Sequence, residues 1–138
     1  MPDLSADALA AIVAQTADAF VFANPAGEIR IWNAAAARLF GYSAEEAVGR
    51  MVDLIIPEKL REAHWNGFRR AMGSGALRLE GRPTITRAQH KSGARLYVEM
   101  TFAVVRANDG AVLGSVAVAR DATERYERER AQRSSGAT

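Results

Sequence analysis

Apolar residues follow two different periods along the chain. Residues 3–18 are rich in Ala and free of Gly and Pro, and Leu9, Ile12 and Val13 fall on one stripe at helical spacing. Over residues 96–104 the apolar side chains instead occupy every second position, which is typical of a strand that buries one face. The pattern therefore predicts an amphipathic helix near the start of the chain and strands towards its end.

Turn sequences divide the strand-like segments into two groups. The segments AFVFAN and EIRIW are rich in aromatic and β-branched residues and are joined by the turn sequence NPAG at 24–27, which predicts a hairpin. From Ala76 onwards, the sequences HKSG at 90–93 and ANDG at 107–110 separate three further strands. We expect these three strands to be antiparallel, because each follows the last through a short turn.

Helical segments lie between the two groups of strands. Asn33 can cap a short helix, and Ser43 followed three residues later by Glu46 is a capping-box pattern for a second one. A longer helix is predicted from Pro57 to about Met72. The residues that recur every fourth position on one face of this helix are Leu60, His64, Phe68 and Met72. The order of elements predicts an α+β domain with a five-stranded antiparallel sheet, helices on one face and a flanking helix at each end.

Composition narrows the classes of function. The chain has 138 residues and no Cys, which fits one domain and excludes disulfide frameworks, thiolate zinc sites, cysteine nucleophiles and flavin photochemistry through a cysteine adduct. The net charge is only +2, and the basic residues are spread along the chain, whereas nucleic-acid binding needs a concentrated basic face. No apolar run approaches the roughly 18 residues of a membrane-spanning helix. We therefore expect no nucleic-acid partner, no membrane span and a cytoplasmic location.

The chain offers little catalytic chemistry. His64 and His90 are its two histidines, and neither has the neighbours of a nucleophile triad or the spacing of a metal site. Phosphate-binding glycine-rich loops of the GxxxxGK[ST] and GxGxxG types are absent from the sequence. The expectation is a protein that is not an enzyme.

From about Asp18 to Arg125 the chain resembles the PAS family of sensory domains. The matching segments are DAFVFANPAGEIRIWNAAAARLFGYSAEEAVGR, HKSGARLYVEMTFAVV and NDGAVLGSVAVARDATER. The resemblance implies a PAS fold over 19–121, an N-terminal flanking helix over 1–18, and over 122–138 the start of a signalling helix with a frayed tail. It also implies a non-catalytic module that binds a small ligand or mediates dimerisation and relays a conformational change to an output domain.

The helix around His64 carries the most specific part of this resemblance. The segment IPEKLREAHWNGFRRAMGSG is similar to the haem-binding helix of FixL-type oxygen-sensing PAS domains, in which a histidine at the position of His64 ligates iron. The resemblance places Arg70 at the position of a propionate partner, and Arg78 offers a second cation beyond the helix. The expected pocket residues are Leu60, His64, Phe68, Arg70, Arg78 and Met100.

The identity of the ligand stays open at this point. Thr84 stands where FixL-type sensors carry the arginine that contacts bound gas, which is a departure from that type. Three alternatives remain: haem held through His64, a small apolar or carboxylate metabolite, and a protein-interaction module without a ligand.

The two ends of the domain predict how it associates and signals. The stripe around Leu9 must fold back onto the sheet or pair with a second copy, and we favour a homodimer through the N-terminal helix and the sheet. Asp121 can cap the C-terminal helix, and Thr123 offers a hydroxyl in its first turn, so these residues are the expected signal relay. Charge pairs at i, i+4 are expected along this helix, at 121/125, 124/128 and 129/133. Glu46 and Lys91 are expected to form a surface salt bridge, as in many PAS domains.

Overall fold

A single antiparallel sheet organises the molecule. The computed structural model describes residues 4–76 and 81–136, and within them five strands pair in the order β2-β1-β5-β4-β3. The strands are β1 Ala19–Ala23, β2 Ile29–Trp32, β3 Thr84–Gln89, β4 Arg95–Arg106 and β5 Val112–Asp121. The helices are α1 Ala6–Gln15, α2 Ala34–Phe40, α3 Ala44–Ala47, α4 Arg61–Ser74 and α5 Thr123–Gly136, with 3-10 turns at Val52–Ile55 and Glu58–Leu60. The predicted α+β architecture is confirmed.

The predicted turns connect neighbouring antiparallel strands. In the first hairpin, the Asn24 side chain accepts hydrogen bonds from the backbone N–H groups of Ala26 and Glu28, and Gly27 has a positive φ of 91°. β3 and β4 are joined through the turn at 90–93, and β4 and β5 through the turn at 107–110. Because each turn is closed by its own short-range hydrogen bonds, the strand boundaries are visible in the sequence.

The core lies between one face of the sheet and helices α2 and α3 with the 3-10 turn after them. Its largest fully buried side chains are Phe40, Ile29, Ile55 and Val98. Small residues line the central strands, and Ala19 and Ala119 are register partners that are each at most 2% exposed. Small side chains on the sheet let the helices approach it closely, so this part of the core is densely filled.

Caps begin the two short helices as predicted. The Asn33 side chain accepts from the backbone N–H of Ala36, and Ser43 and Glu46 form a complete capping box. Lys91 Nζ also donates to Glu46 Oε2 at 2.5 Å, which confirms the predicted salt bridge. The hydrogen bond from Lys91, followed by that from the Ser43 backbone, lowers the pKa of Glu46 from 4.5 to about 2. The pair ties α3 to the turn between β3 and β4.

Helix boundaries differ from the prediction at three places. α1 is shorter than the predicted 3–18, because Ser5 caps it and it ends at Gln15. The long helix begins as the 3-10 turn Glu58–Leu60 and becomes α-helical only at Arg61. α5 continues to Gly136, into the stretch that was expected to fray. No helix of the described chain is long and apolar enough to cross a membrane.

The change of helix type before α4 corrects one predicted pocket residue. Leu60 lies on the 3-10 turn and is 38% exposed, so it does not continue the buried stripe of α4. A 3-10 turn advances the chain by 120° per residue rather than 100°, which shifts Leu60 out of phase with His64 and Phe68.

Candidate functional site

His64 on α4 is the central residue of the candidate site. It is partly buried, and its Nδ1 atom is shielded from solvent without a hydrogen-bond partner among the described residues. Burial lowers the pKa of His64 from its usual 6.5, and the nearby Asp53 carboxylate opposes this effect only in part. The imidazole is therefore neutral near pH 7, the form in which a histidine can ligate a metal.

Two aromatic rings surround this imidazole. Phe68 lies one helical turn further along α4 and stacks on His64, with ring centroids 6.0 Å apart and planes 29° from parallel. Trp65 meets the His64 ring edge-on at 4.8 Å. The three rings form one cluster, which supplies the apolar surroundings that lower the histidine pKa.

Trp65 connects α4 to the 3-10 turn Val52–Ile55 and to the first hairpin. Its Nε1 donates to Asp53 Oδ2 at 3.1 Å, and its ring covers Gly27, where an added Cβ would lie 2.5 Å from the ring. Only a glycine allows the indole to approach the turn this closely. Trp65, the residue next to His64, therefore holds α4 against the hairpin turn.

The structure separates the predicted pocket residues. His64 and Phe68 are in contact, and Met100 is 5% exposed on the inner face of β4, opposite Thr84 on β3. Arg70 is exposed on the flank of α4. Arg78 lies outside the described residues. The residues that were expected to form a pocket thus lie around His64 only in part.

The imidazole of His64 has the chemistry of a haem ligand. Its charge state and unpartnered nitrogen suit iron. Two surface depressions of the described chain lie elsewhere, one along α1 at Ala11–Thr16 and one beside the 3-10 turn Glu58–Leu60, and His64 lines neither. In the described part of the chain, no three acidic, His or Cys residues group as a metal site.

A family model for PAS domains matches residues 17–124. This match covers most of the chain and agrees with the sheet order and the position of α4. The chain belongs to the PAS domain family. As a PAS domain it is a sensory module, of a family whose members commonly dimerise or connect to output domains and are generally non-catalytic.

Two bacterial proteins are similar to this PAS domain in sequence. It is 33% identical over 103 residues to the oxygen sensor protein DosP of Escherichia coli strain K12, which covers 75% of this chain and 13% of DosP. It is 31% identical over 115 residues to an uncharacterized protein of Azorhizobium caulinodans, covering 83% of this chain and 15% of that protein. The PAS domain thus spans only a small part of either relative.

Solved structures share the fold. A PAS domain from Colwellia psychrerythraea superimposes with a TM-score of 0.72 at 23% identity, covering 84% of this chain and 95% of that one. An RNA-binding light-oxygen-voltage receptor gives a TM-score of 0.73 at 22% identity, covering 99% of this chain and 41% of that one. At these identities the likeness shows the fold alone.

The exit from the PAS sheet is built around Tyr97 of β4. The Tyr97 backbone N–H donates to Thr123 Oγ1 at 3.0 Å, and its carbonyl accepts from the backbone N–H of Ala122 at 2.8 Å. The Tyr97 ring stacks on Tyr126 of α5 with centroids 3.7 Å apart. Thr123 therefore lies at the joint between the sheet and α5, and its contact with Tyr97 of β4 is one that the sequence did not indicate.

The predicted relay residue Asp121 has a more local contact. Its Oδ1 accepts from the backbone N–H of Thr123 at 2.8 Å. The expected pair between residues 121 and 125 is replaced by an ion pair across the joint, from Arg125 Nη2 to Glu99 Oε2 at 2.8 Å, which raises the pKa of Arg125. Of the other expected pairs, the structure records Glu124–Arg128 at 3.9 Å. Arg125 turns to the sheet because Glu99 projects from β4 beside α5.

The buried histidine predicts how stability depends on pH. The pKa of His64 is lower in the folded protein than in the unfolded chain, so below about pH 6.5 the unfolded state binds more protons and stability falls as the pH decreases. We expect the urea midpoint to drop between pH 7.5 and pH 5 by less in His64→Phe than in the wild type. His90→Gln, at the exposed β3–β4 turn, is the control, and an equal loss in His64→Phe and wild type would contradict the assignment.

Proposed function

We propose that this PAS domain is a haem-based gas or redox sensor in which His64 is the axial ligand. The observation that carries the proposal is the neutral, partly buried imidazole of His64, whose Nδ1 is shielded from solvent and has no partner among the described residues. The 33% identity to a protein named as an oxygen sensor supports it. Bound haem supplies an iron centre that takes up diatomic gases and changes oxidation state.

The chain's own residues would select and hold this group. Phe68 packs against the ligating imidazole, and buried Met100 with Thr84 forms part of the opposite, sheet-side wall. Thr84 offers a hydroxyl where an arginine would offer a charged donor, so stabilisation of a polar bound gas is weaker here. Arg70 is exposed on α4, where a carboxylate at the solvent edge of a cofactor can pair with it.

Haem uptake tests this proposal directly. Purified protein mixed with haem should develop a Soret absorption band, and His64→Ala should lose it because the iron loses its protein ligand. Arg70→Ala should retain the band but release haem to apomyoglobin several times faster. His90→Ala is the matched control and should behave as the wild type.

Uptake by the wild type that is no better than by His64→Ala would refute the haem proposal. In that case two interpretations remain: a domain that binds a small carboxylate or apolar metabolite, and a protein-interaction module without a ligand. His64 is then a polar residue of the packed interior.

The route of the signal is proposed to run through β4. Residues of this strand alternate between the two faces of the sheet, so Met100 faces the core while Tyr97 and Glu99 hold α5. A ligand that displaces the inner face of β4 therefore shifts the residues that bind Thr123 and Arg125. Asp121 contributes by fixing the first turn of α5.

Amide hydrogen exchange tests this joint. Thr123→Val keeps the shape of the side chain but removes both of its hydrogen bonds to Tyr97, so exchange in α5 should accelerate about fivefold, the equivalent of ~1 kcal/mol. Asp121→Ala should accelerate it by a similar or smaller factor, while the amides of β1 keep their protection. Glu129→Gln, exposed on the same helix, is the control, and unchanged protection of α5 in both test variants would contradict the relay.

Dimerisation is a second candidate function, favoured by the surface of α1. Leu9 and Ile12 are each 52% exposed, so the stripe does not fold back onto its own sheet. The outer face of the sheet continues the apolar surface at Ile31, which is 40% exposed, and at the partly buried Phe20 and Phe22. We propose that two copies associate through α1 and this outer face, since burial of such a patch favours self-association.

Sedimentation velocity distinguishes a dimer from a monomer. The wild type should sediment as a dimer at tens of micromolar, and Leu9→Glu with Ile12→Glu should shift it to a monomer because charges cannot be buried unpaired. Val48→Glu is the control, since Val48 is 42% exposed beyond α3. A monomeric wild type, or a dimer that the double variant leaves intact, would contradict this interface.

A further inference from the structure

A depression of about 520 Å³ lies outside the core, beside the edge strand β3. Its other wall is the 3-10 turn Glu58–Leu60 with the proline that precedes it. The lining residues are Pro57, Glu58, Lys59, Arg87 and Gln89. None of them belongs to the cluster around His64, and Arg87 is the register partner of Tyr97 on the neighbouring strand β4.

Arg87 is the distinctive residue of this depression. The side chain is partly buried, and its Nε is shielded from solvent without a hydrogen-bond partner among the described residues. The recorded ion pairs of the described chain involve other arginines, namely Arg120, Arg125 and Arg128. A guanidinium normally binds a carboxylate or phosphate, because its planar N–H groups match two oxygens at once. Within the described chain, the donors of Arg87 are left uncommitted at the wall of a depression.

The other lining residues favour an anion. Lys59 provides a second cation on the opposite wall, and the Gln89 carboxamide provides further N–H donors. Glu58, which is exposed, is the one carboxylate among the lining residues. The two cations, Arg87 and Lys59, therefore outnumber the acidic residues of the depression. The depression thus offers both the positive charge and the N–H donors that bind an oxyanion.

Both walls are held in place by the fold. The Leu60 N–H donates to the Pro57 carbonyl at 2.8 Å, and Pro57 itself is buried. On the strand side, Ala88 is 3% exposed in the core and lies between Arg87 and Gln89. Because these anchors fix the backbone on each side, only the long side chains need to rearrange when a ligand enters.

We propose that this depression binds an oxyanion, the chemistry shared by phosphate monoesters and carboxylates, through Arg87, Lys59 and Gln89. Binding turns the Arg87 guanidinium so that Nε–H and one Nη–H face two ligand oxygens. The site is independent of any cofactor at His64.

Titration with inorganic phosphate and with acetate tests the proposal, at constant ionic strength adjusted with sodium chloride. Nuclear magnetic resonance of the Arg87 Nε–H group should show a saturable shift with at least one of the two anions, and the tighter one identifies the preferred class. Arg87→Gln and Lys59→Gln should each weaken the affinity at least tenfold, followed through the backbone amides of residues 57–60. Arg87→Lys should recover only part of it, because an ammonium cannot bind two oxygens in a plane.

The controls separate this site from general charge effects and from the haem proposal. Arg30→Gln removes an exposed arginine from β2, at the other edge of the sheet, and should change the affinity less than twofold. His64→Ala should leave anion binding unchanged. Lys59 is exposed, so Lys59→Gln remains informative if Arg87→Gln fails to fold. The absence of saturable binding by either anion, or binding that Arg87→Gln and Lys59→Gln retain, would overturn the proposal.

Discussion

The buried carboxamide of Asn33 connects the elements on which the rest of the domain is built. Its oxygen accepts from the backbone N–H groups of Phe20 and Ala36, at the starts of β1 and α2. Its nitrogen donates to the carbonyls of Val13 and Asp18, at the end of α1 and the entry to β1. One side chain that is 4% exposed thus satisfies backbone groups from three elements. A carboxylate would place acceptor oxygens against the two carbonyls, and an alanine would remove the acceptor of the Phe20 and Ala36 N–H groups, so the position favours an amide.

In the proposed relay, β4 is the strand that connects the interior to the exit helix. It is a 12-residue strand between β3 and β5, and its residues 98–100 are paired with both neighbours. Its inner residues Val98 and Met100 are buried in the core, and its outer residues Tyr97 and Glu99 bind α5. Because neighbouring residues of β4 point to opposite faces of the sheet, a residue in the core and a residue that binds α5 are adjacent in sequence. The proposed signal therefore needs to cross only this one strand.

Much of this architecture is predictable from local sequence signals. Strand alternation, the turn residues at 24–27 and 90–93, and the caps at Asn33 and Ser43 act through neighbours a few residues away, and the structure has each of them. The stacking of Tyr97 on Tyr126 and the pairing of Glu99 with Arg125 escape prediction because the partners are 29 and 26 residues apart. A helical wheel assigns Arg125 to Asp121, and only the tertiary position of α5 reveals the competing carboxylate.

The candidate site likewise combines features that the sequence predicts with features that it does not. The burial of His64 and its contact with Phe68 follow from helical spacing, whereas the exposure of Leu60 follows from a change of helix type that spacing does not encode. The contacts of Trp65 with Asp53 and Gly27 also join distant segments, which spacing along α4 does not encode. Within α4, which is described in full, Ala71 is the one fully buried residue. Packing alone therefore holds this helix weakly. The hydrogen bond of Trp65 to Asp53 and its packing on Gly27 add to this hold, and an outward movement of α4 would break both. A ligand at the proposed His64 site that displaced α4 would therefore also release Trp65 from Asp53 and Gly27, so these contacts couple the proposed site to the position of the helix.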